Sequence, residues 1–344
     1  MECKYRMGQK NINNMVFTLI ICTYKRREAL QNLLDSVNIQ TLYPDEILIV
    51  DGSPDDETKI FIESNSYKNL KYFKVNPEQR GLTKQRNFGI TQVSGSSEIV
   101  CFLDDDIVLK DKYFEELIHT YHLFPDALAV GGYIIDEINW LSVPSDYKPK
   151  RKEFIYDGYI RSDPLRFRVR KFLGLDSNVP PGFSPLFSHG RSLSFLPPSN
   201  KIYQTEQLMG GVSSFRIKIF TFMTFSSFFE GYGLYEDADF SIRLAKQGKL
   251  YINTKAQLEH HHDAAGRPNQ YQYGKMVVRN GWYVWRVKNP NPSFSDRFKW
   301  NAITMLLLLI RCTNIFNTNK KQEAFTESLG RWVGFCSLFV SKPR

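Results

Sequence analysis

The sequence contains few cysteines, and their spacing excludes several kinds of site. Five cysteines, at positions 3, 22, 101, 312 and 336, are scattered among 344 residues, odd in number and without a C-x-x-C pair. Such a set argues against a disulfide framework and against a zinc knuckle, and it is typical of a protein from a reducing compartment. We therefore expect a cytoplasmic protein.

Long hydrophobic runs are also absent. The longest one in the C-terminal part, residues 302–310, has nine residues and includes Thr304, whereas a membrane-spanning helix needs about 20. The first fifteen residues lack the apolar stretch of a secretory signal. We expect residues 1–15 to form a flexible N-terminus, and we expect no segment to cross a bilayer.

The net charge of +9 is concentrated at one end of the chain. Residues 267–344 contain thirteen Lys or Arg and three acids, and four of the five tryptophans fall there. Basic charge with tryptophan beside apolar runs is typical of a surface that contacts anionic lipid. This pattern predicts a helical region, residues 266–344, that lies on the inner face of the cell membrane. The alternative is a basic helical cap that completes the core.

Predicted strands and helices alternate along the first part of the chain. Apolar runs and helical spacing predict strands at residues 16–22, 46–50, 70–75, 98–103, 128–134 and 248–258, and helices at residues 27–38, 55–64, 83–93 and 111–123. This order predicts an α/β fold with a doubly wound, mainly parallel sheet. Residues 140–205 are rich in proline, aromatic and basic residues, and we interpret them as an insertion or a mobile lid.

Three consecutive carboxylates follow the strand predicted at residues 98–103. Asp104, Asp105 and Asp106 would repel one another at the end of a buried strand, and a hard divalent cation such as Mg²⁺ or Mn²⁺ relieves that repulsion while leaving positions for phosphate. Side chains alternate along a strand, so we expect Asp104 and Asp106 on one side and Asp105 on the other. The alternative is an acidic cluster that only caps a loop.

Two further polar residues follow predicted strands directly. Thr23 comes after the first strand and Asp51 after the second, as Asp104 does after the fourth. The carboxyl ends of parallel strands meet at one edge of a sheet, where ligands bind. The sequence therefore predicts one site at this edge.

Six motifs in a fixed order carry a family resemblance. They are Thr-Tyr-Lys-Arg at residues 23–26, Asp-Gly-Ser at 51–53, Arg-Gly-Leu-Thr-Lys-Gln-Arg-Asn at 80–87, Leu-Asp-Asp-Asp at 103–106, Gly-Gly at 210–211 and Glu-Asp-Ala-Asp-Phe-Ser-Ile-Arg at 236–243. This set resembles the inverting family 2 glycosyltransferases with a GT-A fold. The resemblance covers residues 15–265, and we expect a GT-A domain over residues 16–265.

The resemblance implies a nucleotide-sugar donor held at the sheet edge. Thr23 and Asp51 would bind the base and the ribose, and Lys25 and Arg26 would approach the phosphates. Asp106 of the D-x-D pair would contact Mg²⁺ or Mn²⁺, while Asp104 would meet the ribose or a metal-bound water. The remaining donor-binding positions are Arg80, Arg86 and Asp105. As plain alternatives, the two arginines are surface charges of a helix and Asp51 is a turn residue.

The resemblance also implies a catalytic base and the residues around it. Asp237 would take a proton from the acceptor hydroxyl, and Arg243 would help to hold that loop. The residues implied to form the acceptor or donor loop are Gly210, Gly211 and Glu236. The alternatives are turn glycines and acids that favour a helix N-terminus.

Three histidines follow the strand predicted at residues 248–258. Alternation sends His260 and His262 to the same face, where either completes a metal shell or binds the diphosphate. We predict both as metal ligands; the plain alternative is an exposed loop.

Together these features predict an enzyme that moves a sugar from a UDP-, GDP- or dTDP-linked donor to a hydroxyl of a lipid-linked or growing glycan, in surface polysaccharide biosynthesis. We expect no nucleic-acid partner. One alternative is a sugar nucleotidyltransferase, although the first strand is followed by Thr-Tyr-Lys-Arg-Arg without the expected glycine-rich loop. Another is a non-catalytic basic module that binds nucleic acid or anionic lipid.

Overall fold

The computed structural model describes residues 15–229, 232–261 and 269–343. The segment 1–14 of the predicted N-terminus and His262 lie outside these described residues.

The main elements of the described residues follow the predicted alternation. The strands are β1 (Phe17–Thr23), β2 (Glu46–Asp51), β3 (Leu70–Lys74), β4 (Ile99–Asp104), β5 (Ile107–Leu109), β6 (Ala127–Ile134), β7 (Leu141–Ser142), β8 (Glu153–Tyr156), β9 (Tyr159–Ser162), β10 (Ile202–Thr205), β11 (Val212–Arg216) and β12 (Lys249–His260). The helices are α1 (Arg27–Asn38), α2 (Glu57–Glu63), α3 (Leu82–Thr91), α4 (Tyr113–Leu123), α5 (Leu165–Phe172), α6 (Glu236–Ala245), α7 (Gln270–Lys288), α8 (Phe294–Asn317) and α9 (Lys321–Val340). Each predicted element is present, with ends that differ by a few residues.

One large sheet organises the molecule, with strand order β10-β12-β6-β11-β4-β1-β2-β3 and β5 paired to β12. The strands β3, β2, β1 and β4 are parallel to one another. Beyond β4 the sheet is mixed, because β11 runs antiparallel to both β4 and β6. The carboxyl ends of β1, β2 and β4 therefore share one edge of the sheet.

Helices cover both faces of this sheet. Alternating side chains of β1 divide between two hydrophobic cores, with Leu19 and Ile21 in one and Ile20 in the other. The first core includes apolar residues of α1 and α4, and the second includes Phe240 and Leu244 of α6. Fully apolar strands such as β1 are typical of sheets buried on both faces. This layering fixes the sheet edge that carries the site.

The segment 140–205 forms a small separate sheet and also contributes one strand to the main sheet. Strands β7, β9 and β8 make a separate three-stranded sheet, and α5 follows them. β10 lies at the end of the segment and pairs with β12 of the main sheet.

The C-terminal region is helical, as predicted. Helix α7 packs against α6 and α9, and Asn280 of α7 donates to the backbone carbonyl of Leu234 at 2.9 Å. Helix α8 begins with a capping box, in which Ser293 and Asp296 bond each other's backbone N–H. Across the described residues, none of the helices combines the length and the apolar character that a membrane span requires.

Candidate active site

Several predicted residues meet at the carboxyl ends of β1, β2 and β4. In the sheet register Thr23 lies opposite Asp51, and Cys22 lies opposite Asp104. Thr23 and Asp51 are buried, and the side chain of Asp104 is 41% exposed. The sheet edge predicted from strand order is therefore present in the structure.

The three consecutive aspartates point to different partners. Strand β4 ends at Asp104, so Asp105 and Asp106 lie in the turn that leads to β5. Arg26 donates to Asp105 Oδ1 at 3.0 Å and to Asp106 Oδ2 at 3.4 Å. The expectation that alternation would place Asp104 beside Asp106 and apart from Asp105 is wrong, because pleated geometry does not extend into the turn.

Asp105 is the most enclosed of the three. It accepts a hydrogen bond from the Thr23 hydroxyl at 2.7 Å as well as the bond from Arg26. Burial raises the pKa of Asp105 to about 6, although Arg26 and Thr23 oppose the shift. Thr23, Arg26 and Asp105 thus form a buried polar bridge between β1 and the aspartate turn.

Asp106 lies beside His260, the last residue of β12. His260 Nε2 is 3.2 Å from Asp106 Oδ1, and His260 Nδ1 is 3.3 Å from Glu137 Oε1. Hydrogen bonds to Asp106 and Glu137 raise the pKa of His260 to about 10. A histidine held between two carboxylates is a common arrangement at metal sites, where one carboxylate orients the ring.

Arg86 joins two other acids across the site. Its side chain is 2% exposed, it contacts Glu236 Oε1, and it donates to Asp104 Oδ1 at 3.2 Å. Burial is the largest single influence on the pKa of Arg86 and lowers it. Glu236 and Asp104 together outweigh burial, so the pKa of Arg86 is raised. The guanidinium therefore stays charged and fixes both carboxylates.

The two glycines at 210 and 211 have a steric role here. A Cβ atom at Gly210 would overlap Glu236 and Arg86, and one at Gly211 would overlap the carboxylate of Asp104. The backbone therefore approaches these acids more closely than a residue with a side chain allows.

Asp237 lies in the first turn of α6, next to this cluster. Its carboxylate accepts the Ala238 N–H at 2.7 Å and the Gly210 N–H at 3.4 Å. Burial raises the pKa of Asp237, while those two N–H groups and Arg86 oppose the shift. Arg243, six residues later, bonds Asp239 at 2.7 Å and the Thr224 carbonyl at 3.1 Å, so it holds α6 rather than Asp237.

Asp51 and Arg80 stand apart from the acid cluster. The carboxylate of Asp51 is fully buried and accepts bonds from the Ser53 N–H at 2.7 Å and the Tyr72 hydroxyl at 2.8 Å. Lys25 bonds the same loop, because its N–H donates to Ser53 Oγ at 2.8 Å. In the described part of the chain, no hydrogen bond joins the Arg80 side chain to the other predicted residues, and its Nε is buried without a partner.

The donor atoms present suit a cation that shares its shell with phosphate and water. No cluster of three His, Cys, Asp or Glu ligands is found in the residues that the structure describes. Asp106 Oδ1 and His260 Nε2 are close enough to bind one ion together once the ring nitrogen has lost its proton to solvent. Mg²⁺ typically takes one or two carboxylates plus substrate phosphates, and Mn²⁺ accepts similar ligands. These residues therefore fit a divalent cation bound with a diphosphate.

Sequence reasoning missed some residues of the site. Gln85 donates to the carbonyls of Thr23 at 3.2 Å and Val50 at 2.9 Å, and so joins the ends of β1 and β2. Glu137 and Tyr72 bond predicted site residues from other elements. Gln85 lies inside a motif that carried the resemblance, whereas nothing in the local sequence marks Glu137 or Tyr72.

Comparison with known proteins gives a family match. Residues 18–186 match the family described as Glycosyl transferase family 2. The chain is 28% identical over 139 residues to the glucosyl-dolichyl phosphate glucuronosyltransferase of Haloferax volcanii, covering 40% of this chain and 43% of that protein. It is 29% identical over 118 residues to the O-antigen chain rhamnosyltransferase RfbN of Salmonella typhimurium, covering 34% of this chain and 37% of that protein.

A third relative has an acceptor named in its description. The chain is 26% identical over 146 residues to the GalNAc(5)-diNAcBac-PP-undecaprenol beta-1,3-glucosyltransferase of Campylobacter jejuni, covering 40% of this chain and 47% of that protein. The chain spans less than half the length of these three curated relatives.

A solved structure shows the fold over most of the chain. The crystal structure of TarS 1-349 from S. aureus has a TM-score of 0.50 and 16% sequence identity, covering 93% of this chain and 80% of that one. At this identity the likeness concerns the fold alone. The predicted GT-A type fold with a helical C-terminal region is confirmed.

Proposed function

Because the chain belongs to glycosyl transferase family 2, we propose that it transfers a sugar, with inversion at the anomeric carbon, from a nucleotide-diphosphate sugar to a hydroxyl of a lipid-linked or growing glycan. The family and the class of enzyme predicted from the motif order are confirmed. The nucleotidyltransferase and the non-catalytic module are therefore set aside. We infer a role in surface polysaccharide biosynthesis at the inner face of the cell membrane.

One observation carries the proposal: the acids of this site are divided into two groups with different partners. Asp106 lies beside His260, and the Asp106 Oδ1 and His260 Nε2 atoms, both of types that bind metals, are 3.2 Å apart. Asp237 lies on α6 with backbone N–H groups as its partners, and Arg86 with Glu236 and Asp104 lies beside it. The first group suits a cation and a diphosphate, and the second leaves one carboxylate to act as a base.

The residues of the chain then have distinct tasks. Asp237 removes the proton from the attacking hydroxyl, and burial, which raises its pKa, makes it a stronger base than an exposed aspartate. Arg26 lies at the aspartate turn, where its positive charge opposes the negative charge that develops on the departing diphosphate. Mg²⁺ or Mn²⁺ held by Asp106 and His260 would supply further charge neutralisation when bound.

No covalent intermediate is needed for a direct displacement. Cys22 lies opposite Asp104 in the sheet register, and burial raises the pKa of its thiol to about 12, so it stays protonated at neutral pH. A single carboxylate base with direct attack inverts the anomeric centre. This supports the inverting mechanism that the resemblance implied.

The donor is a UDP-, GDP- or dTDP-linked sugar in this proposal. Thr23 and Asp51 lie at the edge expected for the base and ribose, and the Tyr72 hydroxyl covers the Asp51 carboxylate. We infer that Tyr72 is the side chain that a base or ribose meets first, with Asp51 holding it in place. The descriptions of two relatives name dolichyl phosphate and undecaprenol carriers, which supports a lipid-linked acceptor.

A panel of sugar nucleotides tests the proposal directly. The purified chain is mixed with UDP-, GDP- and dTDP-sugars, each with Mg²⁺, with Mn²⁺ or with EDTA, and thermal shift and slow donor hydrolysis are measured. We expect one nucleotide class to stabilise the protein only when a divalent cation is present. Asp106→Asn should lose most of that stabilisation, because it removes a metal-binding charge.

The exposed Asp111 provides a matched control. Asp111→Asn removes the same charge outside the site and should retain the full shift. Equal stabilisation of the Asp106→Asn variant and the wild type would exclude Asp106 as a ligand. Absence of binding by every sugar nucleotide would overturn the proposed function.

A further inference from the structure

A cavity of about 430 Å³ lies between the start of α6, which carries the proposed base Asp237, and the C-terminal helices. Its walls come from three parts of the chain: the segment 166–207, residues 235–242 at α6, and the C-terminal helices. Tyr235 and Ala238, which flank Glu236 and Asp237 in the sequence, both line it. A volume of this size is in the range of small-molecule sites.

Tyr235 lies both in the wall of this cavity and at the start of the helical turn that contains Asp237. Tyr235 has φ +71°, a left-handed conformation that is uncommon for a residue other than glycine. It is the residue immediately before Glu236, and its ring lines the cavity. The same strained residue thus sets the start of α6 and forms part of the cavity wall, as is common at functional sites.

The charges around the cavity have one sign. Arg166, Lys288 and Arg331 line it, and none of the lining residues in the described part of the chain is acidic. Lys288 pairs with Glu206 behind the wall, and Arg331 pairs with Glu327 at 2.8 Å. Arg166 is exposed and has no ion-pair partner within the described residues.

Glu327 does not neutralise the positive charge near Arg331. It pairs with Arg311 at 2.6 Å as well as with Arg331, so two guanidinium groups share one carboxylate. With Arg166 added, positive charge is in excess beside the cavity. An anionic ligand would be attracted there.

Another part of the cavity wall is apolar. Val278, Trp285 and Trp300 line it, and the two indole rings stack at 5.2 Å between centroids. Trp285 Nε1–H donates to the Leu186 carbonyl at 2.8 Å, which leaves the rings as a fixed apolar surface. A ligand that suits this cavity has an anionic group joined to an apolar chain.

We propose that this cavity binds the phosphate-bearing end of a lipid-linked acceptor, with Arg166 and Arg331 facing the phosphate and the stacked tryptophans facing the lipid chain. This inference rests on the proposed function, since it places the acceptor next to Asp237. It also assigns a task to the segment 140–205 and to α7–α9, which together form most of the cavity.

The test uses farnesyl phosphate as a water-soluble probe with the full chain. Trp285 and Trp300 are two of the five tryptophans, so binding in the cavity should change the intrinsic fluorescence. We expect saturable binding of farnesyl phosphate, at least about tenfold weaker binding of farnesol, and weak binding of inorganic phosphate, because both the charge and the chain contribute. Equal binding of farnesol and farnesyl phosphate would show an apolar site without anion recognition.

Two pairs of variants locate the binding. Arg166→Gln should weaken farnesyl phosphate about tenfold, the loss of one charge-assisted hydrogen bond, while Arg151→Gln removes an exposed charge elsewhere in the segment and should not change it. A Cβ atom at Gly281 would meet only Tyr235, at 3.6 Å. Gly281→Ala should therefore bind normally, whereas Gly281→Phe should fill the cavity and abolish binding.

The outcomes separate the two proposals. If sugar nucleotides stabilise the wild type but farnesyl phosphate does not bind, or binds equally to Gly281→Phe and Gly281→Ala, the cavity assignment is wrong and the glycosyltransferase proposal stands. If no sugar nucleotide binds, the proposed function fails first. Thermal unfolding of each variant shows whether Gly281→Phe is folded, and Arg166→Gln remains informative if it is not.

Discussion

The environment of Asp237 gives this one residue two opposing properties. Its carboxylate is desolvated, which raises the pKa, and it accepts two backbone N–H bonds, which favour the charged form. The balance leaves a carboxylate that is more basic than an exposed one. These are the properties that a general base for a sugar hydroxyl needs.

Asp237→Asn should abolish sugar transfer and preserve donor binding. The amide keeps the shape of the side chain but cannot accept the proton, so we expect a loss of about 10²- to 10⁴-fold in transfer rate. The measurement is acceptor-dependent transfer beside the donor-induced thermal shift of the same preparation. In the wild type, transfer should decrease as the pH falls through a pKa that lies above the ordinary value for aspartate, because protonation removes the base. Normal turnover by the Asn variant would remove Asp237 from this role.

Gly211→Ala should weaken donor binding without unfolding the protein. The added Cβ overlaps the Asp104 carboxylate, which must move away from Arg86. We expect donor affinity to fall about tenfold or more and the free energy of unfolding to fall by about 1–3 kcal/mol, as for other overpacked sites. Isothermal titration with the donor and urea unfolding measure the two effects.

Gly95 supplies the control for this substitution, since a Cβ atom there meets no heavy atom within 4 Å. Gly95→Ala should change stability by less than about 0.5 kcal/mol and leave donor binding unchanged. If Gly211→Ala behaves like Gly95→Ala, the close approach to Asp104 has no functional consequence.

At this scale the sequence predicted which residues lie at the site better than it predicted their partners. Arg86 and Glu236 both appeared in motifs, but their contact joins positions 150 residues apart. Such a pairing depends on how α3 and α6 pack on the sheet, and no local pattern encodes it. The same reason explains why Glu137 was missed although its partner His260 was predicted.

Among the elements, β4 shows where periodicity stops being a reliable guide. Alternation holds through Leu103, which is buried in one core while Phe102 is buried in the other. It ends with the strand at Asp104, so the directions of Asp105 and Asp106 depend on the turn. Long-range partners, Arg26 and His260, then fix those directions. Residues just beyond a strand are common in active sites and are also the hardest to orient from sequence.

The loop after helix α5 contains His189, an exposed histidine that bonds an arginine in its neutral form. The surrounding protein and the nearby Arg170 together lower the pKa of His189 below its usual value. Arg170 Nη1 lies 3.3 Å from His189 Nε2, so the guanidinium donates to an unprotonated nitrogen. Arg170 also donates to the His189 carbonyl at 3.1 Å. A proton on Nε2 would break the first bond and place two cations together.

Stability should therefore decrease as the pH falls below the pKa of an ordinary histidine. The folded-state pKa is lower than the unfolded value of 6.5, so the unfolded chain binds the proton more readily below pH 6.5. Because His189 is exposed, screening by water keeps this loss well below the value for a fully buried group. Urea unfolding at about pH 7 and pH 5 should show lower stability at the lower pH, with part of the loss from this residue.

His189→Gln isolates this effect. The amide oxygen still accepts from Arg170 but does not titrate near neutral pH, so the variant should lose less stability than the wild type on going to pH 5. His122→Gln, at an exposed position on α4, should retain the wild-type dependence. An identical pH dependence in all three proteins would contradict a lowered pKa of His189.

For the whole molecule, the elements and their order were predictable from sequence, but the sheet beyond β4 was not. Continuous apolar runs marked β1, β2 and β4 because both faces of those strands are buried. Strand β11 comes more than a hundred residues after β4 and yet pairs with it in the antiparallel direction. The inserted segment supplies β10 to the same sheet. Insertions of this kind obscure which strands are neighbours.

The surface of the molecule has an uneven distribution of exposed apolar side chains. Of the twenty large hydrophobic residues that are exposed in the described part of the chain, nine lie in the C-terminal helices and five in the segment 140–205. Phe294, Phe316 and Phe339 are each at least 75% exposed. These helices also pack on the catalytic domain through Asn280 and Trp285, so a capping role and a surface role are compatible.

We predict that the protein binds vesicles containing anionic lipid and that the exposed phenylalanines of α8 and α9 contribute to this binding. Phe316 and Phe339 are 83% and 75% exposed, in a region whose net charge is +10. The Phe316→Ser, Phe339→Ser double variant should reduce partitioning about tenfold or more, since burying each aromatic side chain contributes about 1.5–3 kcal/mol. Vesicle flotation with and without about 30% anionic lipid measures it, and added salt should weaken binding by screening.

The control is a pair of exposed apolar residues on the N-terminal α/β part of the chain. Ile39 and Ile60 are 63% and 61% exposed, and their joint replacement by serine should leave vesicle binding unchanged. Binding lost equally in both double variants would indicate nonspecific adhesion. Binding lost in neither, or absent from the wild type, would leave the basic helices with the capping role alone, and the enzyme would then have to reach a lipid-linked acceptor without a lipid-binding surface of its own.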